Sequence, residues 1–208
     1  MNTDQYRQQI RSFNLASTSN NNINIQNNTY INKFNDITNV ENQENSINIY
    51  NNYISIGTHN VRGFNVISKQ RVFFDEYKDL NLDIIGLTET KLANKLSKFT
   101  QQDNKIYKSW WTGIEDQNKT GGVGIAIKFG LHKHVTRIIT KLGRLISMDL
   151  MFKGKITIRI INIYVNSNEQ ETQIREQLLK ELSSLILEAN TKRFHLIVMG
   201  ILMQTLKS

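Results

Sequence analysis

Apolar and polar positions change character near residue 53. Before it, isoleucines are scattered among asparagines with no sustained period. After it, two periods take turns, one of strands and one of helices. Ile54-Ser-Ile-Gly-Thr-His-Asn60-Val-Arg-Gly63 reads as a strand running into a turn. Gln70–Leu80 places Phe73, Tyr77 and Leu80 at helical spacing, with Asn81 as a stop. Asp83-Ile-Ile-Gly-Leu-Thr-Glu89-Thr-Lys91 opens with a short apolar run, as expected of a strand covered on both faces, and delivers a carboxylate at its end. Residues 91–120 are polar and irregular, anchored by Trp110 and Trp111.

Beyond Gly121-Gly122, Val123, Ile125, Ile127 and Phe129 share one face of a strand. Ile146, Met148, Leu150 and Phe152 repeat the pattern, and Gly154 turns the chain into Ile156–Val165. The alternation slips at Ile160-Ile161, which predicts either a bulge or burial on both faces. This stretch reads as an antiparallel meander. Asn166-Ser167-Asn168 offers N-caps for a helix through about Ala189, with Ile174, Leu178, Leu182, Leu185 and Ile186 as its buried stripe. A last strand, Phe194–Gly200, follows. Two helices and at least five strands, partly meandering, predict layered α/β packing with two sheets.

Composition divides the chain in the same place. Residues 1–52 hold 16 of the 26 asparagines, and such low complexity cannot bury enough apolar surface to offset chain entropy. They are expected to be a disordered tail, or, around Ile47–Ile49, an edge strand prone to aggregate. That segment carries three basic and four acidic side chains, so the net +8 of the whole chain becomes +9 over residues 53–208. A basic domain suits a polyanion such as nucleic acid, although many basic proteins bind none.

The absence of cysteine excludes disulfides and thiolate zinc sites. The first residues lack the apolar core of a signal peptide, and no run approaches the ~20 apolar residues of a membrane helix. An intracellular protein without a membrane partner is expected, its compartment unspecified.

Candidate chemistry gathers where strands end, because ligands of α/β sheets bind outside the carboxyl ends of strands. Magnesium takes one or two carboxylates and keeps several waters. Glu89 beside the amide of Asn60 is compatible with such a site, but by spacing alone an ordinary solvated strand end is the commoner reading. His132 and His134, two apart, could share a strand face as metal ligands, yet no third ligand is near. Gly121-Gly122-Val-Gly124 precedes a strand, not a helix, and so reads as a turn more than a phosphate loop. His195 reads as a core or edge histidine, and Trp110-Trp111 as loop anchors, with base stacking the rarer use.

Five blocks follow one another in order: Thr58-His-Asn60-Val-Arg-Gly63, Asp83 to Lys91, Gly121-Gly-Val-Gly-Ile-Ala-Ile127, Asn162-Ile-Tyr164 and Phe194 to Gly200. Their succession resembles the endonuclease/exonuclease/phosphatase superfamily, the DNase-I-like enzymes. The Asn-Val-Arg-Gly and Glu-Thr-Lys versions look like the endonuclease domain of non-LTR retrotransposons and related apurinic endonucleases. The resemblance covers residues 54–200 and somewhat more than half of such a domain. It implies a four-layer α/β/β/α sandwich of two packed mixed sheets flanked by helices, and hydrolysis of phosphodiesters with Mg2+ or Mn2+, on DNA rather than RNA. By the same resemblance, Asn60 matches the asparagine that helps hold metal and phosphate, Glu89 the principal metal carboxylate, and Tyr164 the tyrosine reaching the scissile phosphate or the leaving oxygen. Arg62 and Lys91 lie in these blocks and would touch backbone phosphates, or else be solvated charges beside a turn.

The departures are equally specific. The family's last strand ends Gly-Asp-Phe-Asn, whereas Gly200 is followed by Ile201-Leu202-Met203, and no Ser-Asp-His block follows. Asn166 stands where the family usually has proline. Losing cooperating catalytic groups costs many orders of magnitude. The expectation is a partial domain over residues 53–200 with its last strands missing, a non-family tail over 201–208, and little or no activity. An open sheet edge would also make it poorly soluble. The alternatives are a non-catalytic basic nucleic-acid binder and a pseudogene product.

Overall fold

The computed structural model describes residues 12–17, 23–28, 54–93, 100, 104–113, 121–166 and 171–202. In the asparagine-rich segment, β1 (Ser12–Ser17) and β2 (Ile23–Asn28) pair antiparallel. The rest of that segment, with Ile47–Ile49, lies outside the described residues, as do 203–208.

Two β-α-β units organise the remainder. The first runs β3 (Ile56–Asn60), α1 (Ile67–Asp79) and β4 (Ile84–Thr88), with β3 and β4 parallel. Between the units lie β5 (Tyr107–Thr112), β6 (Val123–Lys128), β7 (Val135–Lys141) and β8 (Leu145–Met151). The second unit runs β9 (Thr157–Val165), α2 (Thr172–Thr191) and β10 (His195–Leu202), again with parallel strands. Parallel neighbours need a long crossover, and each helix supplies one. One sheet has the order β3-β4-β6-β5 and the other β10-β9-β8-β7, both mixed.

The layers follow from which residues each strand turns inward. Ile56, Ile84, Val123, Ile125 and Ile127 of the first sheet meet Ile146, Met148, Leu150, Ile158, Ile160 and Tyr164 of the second in one core. The opposite faces are covered by helices. Phe73, Phe74 and Tyr77 of α1 pack on Ile85, Leu87 and Ala126. Leu178, Leu182 and Leu185 of α2 pack on Leu145, Ile161, Ile163 and Val165. The result is the expected α/β/β/α sandwich. A strand between a sheet and a helix must be apolar at both parities, and all nine residues of β9 are buried. The slip at Ile160-Ile161 is therefore burial on both faces; the irregularity falls instead between Val135 and Arg137.

Several local expectations are revised. Residues 107–112, read as irregular, form β5, because Tyr107 and Trp111 pack inward and the Trp111 ring covers Gly124. His132 and His134 lie in a single 3₁₀ turn and not on a strand. The second helix is preceded at its N-cap by Glu171, not by Asn166; residues 167–170 lie outside the described set. The last strand continues two residues past Gly200, through Ile201 and Leu202. His195 is half-buried on β10, an edge of its sheet among the described strands.

One ion-pair network locks α2 to its sheet. Arg159 on β9 is wholly buried and grips Asp149 of β8 with two hydrogen bonds, Nε to Oδ1 at 2.7 Å and Nη2 to Oδ2 at 2.8 Å. Its remaining nitrogen donates to Leu185 O and Glu188 Oε2 on α2, at 3.0 and 2.9 Å. Glu188 also accepts from Lys192 and Arg137. Hydrogen bonds from Lys192, Arg159 and Arg137 hold its carboxyl at about 2, far below the usual carboxylate range. A depressed acid stabilises the fold above its ordinary value and loses that contribution as pH falls toward the depressed one. The melting midpoint is therefore expected to drop between pH about 4.5 and 2, and Glu188→Gln to flatten that drop in a pH series of thermal melts.

Candidate nucleic-acid and metal site

Asn60 ends β3 and Glu89 follows β4, so the parallel pairing brings both to one strand end. Asn60 Nδ2 donates to Glu89 Oε2 at 2.9 Å, and Lys91 Nζ stands 3.7 Å from Glu89 Oε1. Asn60 Oδ1 accepts from the Arg62 backbone N–H at 3.1 Å, an Asx turn that folds the chain back. The Arg62 side chain is exposed, and Lys91 is more exposed than Glu89, 42% against 16% for the side chains.

The backbone here is strained and over-determined. Arg62, Glu89 and Lys91 have φ of 47°, 56° and 52°, left-handed values that cost non-glycine residues free energy. The ladder between the turns supplies the compensation. Val61, Gly63 and Phe64 donate to Thr88, Glu89 and Thr90 carbonyls at 3.1, 2.7 and 2.7 Å. Thr90 and Lys91 donate in turn to Gly122 and Gly121, at 3.0 and 2.9 Å. Gly122 is itself left-handed, at φ +79°, and a Cβ there would lie 2.2 Å from Thr90 Oγ1. Gly122→Ala is expected to cost about 1–3 kcal/mol and to loosen the Glu89 turn. Faster amide hydrogen exchange at Thr90 and Lys91 would report it.

Tyr164 reaches the same end by another route. Gly122 N–H donates to Gly143 O at 2.9 Å, and Tyr164 N–H to the neighbouring Arg144 O at 2.8 Å. Backbone bonds thus run from the Glu89 turn to the end of β9. The Tyr164 ring belongs to the inter-sheet core and is 3% exposed. The structure brings Asn60, Glu89 and Lys91 into contact, ties in Arg62 through its backbone, and places Tyr164 beneath the same end.

Three side chains had been given no role in this region, although Asn162 and His59 lie in the blocks that carry the resemblance. Asn162, wholly buried on β9, reaches across the sandwich and donates to Leu87 O and Gly124 O, both at 2.8 Å. It joins the sheets directly below the Glu89 turn, and Gly86 leaves it the room. Among the described residues, its Oδ1 and the Thr88 hydroxyl are buried without a hydrogen-bond partner. Arg144, whose carbonyl holds Tyr164, clamps Glu171 before α2 at 2.7 and 2.8 Å. The sequence signal was a polar side chain inside a run with both faces buried, which must be paired. His59, next to Asn60, turns the other way: its Nδ1 hydrogen-bonds the Tyr77 hydroxyl at 2.7 Å beneath α1. Burial, aided by the charge of Lys69, lowers its pKa and favours the neutral ring.

The donor set fits a magnesium-type ion: one carboxylate, already oriented by an amide, with coordination left for water and phosphate oxygens. Among the described residues no three histidine, aspartate or glutamate side chains gather as a closed cage would require. His132 and His134 each engage Nδ1 with a backbone carbonyl, of Phe129 and Met151 respectively. No helix among the described residues is long and apolar enough to cross a membrane.

No family model matches the sequence, and neither does any curated protein. Solved structures do match. A 3′ phosphatase, NExo from Neisseria, bound to a product DNA hairpin, aligns with a TM-score of 0.51 at 21% identity, over 70% of this chain and 56% of its own. The catalytic domain of Xenopus laevis APE2 gives 0.50 at 19%, over 70% and 57%. TDP2 from Caenorhabditis elegans gives 0.48 at 15%, over 67% and 43%. The chain thus spans about half the length of these structures. With two mixed sheets packed face to face and a helix outside each, it has the DNase-I-like fold that the first two share.

Proposed function

We propose that this chain carries the metal- and phosphate-holding part of a DNA phosphodiesterase site, of the kind found in retroelement endonucleases. The observation that carries the reading is the strained pair of turns that presents Glu89, Asn60 and Lys91 together at one strand end. Strain of this sort persists where the surrounding structure enforces it and is concentrated at functional sites. The fold shared with a DNA-bound 3′ phosphatase points the same way.

Glu89 would hold Mg2+ or Mn2+, with Asn60 fixing the carboxylate through Nδ2 while its Oδ1 is held by the Arg62 N–H. A bound ion would neutralise the charge that develops on the phosphoryl oxygens. Lys91 and Arg62 would pair with flanking phosphates, and Tyr164 would shift toward the scissile group. Turnover is expected to be slow. Ile201 stands where the resembling family has its nucleophile-activating aspartate. It pairs with Tyr164 in the β9–β10 register and packs against the inter-sheet core. An apolar side chain there can neither activate nor orient a water.

The test is a binding and nicking series on a duplex with an abasic site, with and without Mg2+. Affinity that rises with Mg2+, accompanied by little nicking, is the expected result. Affinity and nicking both indifferent to Mg2+ would refute the metal site. The apolar Ile201 favours one second reading, a binder without turnover. Steeply salt-dependent binding that ignores the metal would support it.

A further inference from the structure

The opposite pole of the sandwich carries a second concentration of chemistry that the proposed site does not use. Lys128 donates its N–H to Asp83 O before β4, and Phe129 to Ile106 O before β5, so Phe129 lies at the end remote from Glu89. The 3₁₀ turn His132–His134 follows, and the Met151–Lys155 turn lies beside it. One ring pair lies within the first of these segments and a second joins the two turns. Phe129 and His132 have centroids 4.5 Å apart, and Phe152 stacks on His134 at 4.6 Å.

Three properties of this surface point to one ligand chemistry. Lys133, Lys153 and Lys155 are all exposed, and residues 129–136 and 151–157 contain no acid. Phe129 is 51% exposed, with the imidazole of His132 beside it. A carbonyl only accepts, so each histidine must donate from Nδ1, which leaves Nε2 as its remaining polar atom. A partly open aromatic ring among cations with no acid in either segment suits an unstacked base with its phosphates. Duplex DNA offers no free base face.

We propose that this pole binds single-stranded nucleic acid, with a base on Phe129 and the backbone along Lys133, Lys153 and Lys155. The surface is independent of Glu89 and acts whether or not the other pole holds a metal. It gives the chain a second grip on its polyanion, remote from the strand ends.

The test uses the full chain, EDTA to silence any metal site, and a fluorescent oligothymidine of about 15 nucleotides, long enough to cover an OB-sized site of this kind. Phe129→Ala should weaken binding by about 5- to 150-fold, the worth of one stacked base, with the salt slope unchanged. The triple variant Lys133→Gln, Lys153→Gln, Lys155→Gln should lower the slope of log affinity against log salt by about 2, at about 0.7 per contact. All four positions are exposed, and unchanged thermal melts would confirm that the variants fold. Wild-type affinity and slope in both variants overturn the proposal. So does a loss of binding to phosphatidylserine vesicles without any loss for the oligonucleotide, which would make the patch a lipid surface. Wild-type binding in both variants with a loss in Arg62→Gln would place the strand at the Glu89 pole instead, and would also overturn it.

Discussion

Replacing Arg159 by leucine is expected to cost about 3–5 kcal/mol of stability, the penalty for leaving a buried charge without its partner. Arg159 is fully buried, and its partner Asp149 is almost so, with 7% of the side chain exposed. Both Asp149 oxygens are satisfied by the guanidinium. Without it the buried carboxylate is left beneath α2 with nothing to replace water. The melting midpoint should fall by roughly 6–20 °C for a chain of this size. The sign of a second change separates charge from packing. Asp149→Leu in the Arg159→Leu background removes the orphaned carboxylate and should recover much of the loss, since apolar replacement of a whole buried pair is often neutral. Glu188 retains Lys192 and Arg137 and needs no compensation. A single Arg159→Leu variant melting within about 1–2 °C of the parent, less than 1 kcal/mol for this size, would show that the pair is idle.

Glu89→Gln is expected to lower Mn2+ affinity by at least about 100-fold, the upper end of what even an outer-sphere ligand change costs. The substitution is isosteric, and a glutamine oxygen can still accept from Asn60 Nδ2, so the paired turns should persist. Only the charge is lost. Two readouts of opposite sign follow. In the presence of metal, DNA affinity should fall, because the carboxylate that would hold the ion beside the phosphate has gone. Without metal it should rise slightly, because a negative charge beside Lys91 has gone. Mn2+ titration calorimetry and a DNA-binding series in EDTA measure the two. Unchanged Mn2+ affinity would remove Glu89 from the metal, whatever the cleavage assay showed.

Some of this could be read from residue order because it depends on local period. The stripe Leu178, Leu182, Leu185 and the alternation Val123, Ile125, Ile127 assign a face to each element, and those faces are the ones buried. Asn60 and Glu89 could be singled out because strand ends collect ligands and the blocks around them resemble known ones. Residues 107–112 could not. Their burial comes from Trp111 lying over Gly124 of β6, a contact between segments that share no local pattern. The histidine pair at 132 and 134 misled for a related reason. Spacing two apart implies a shared face only in an extended chain, and Leu131 to Val135 is a turn.

The amino-acid order by itself determined the two strand-helix-strand successions, the apolar faces and the polar residues waiting at strand ends, since each needs only neighbours within a turn or a strand. What the tertiary structure alone decided is which of those ends meet. Glu89 is oriented because a parallel ladder continues through two strained turns. Asn162 reaches Leu87 from 75 positions away. Arg159 can be buried because Asp149 and Glu188 converge on it from a strand and a helix. Such partners are set by how two sheets pack, and packing is a property of the whole surface that no window of sequence contains.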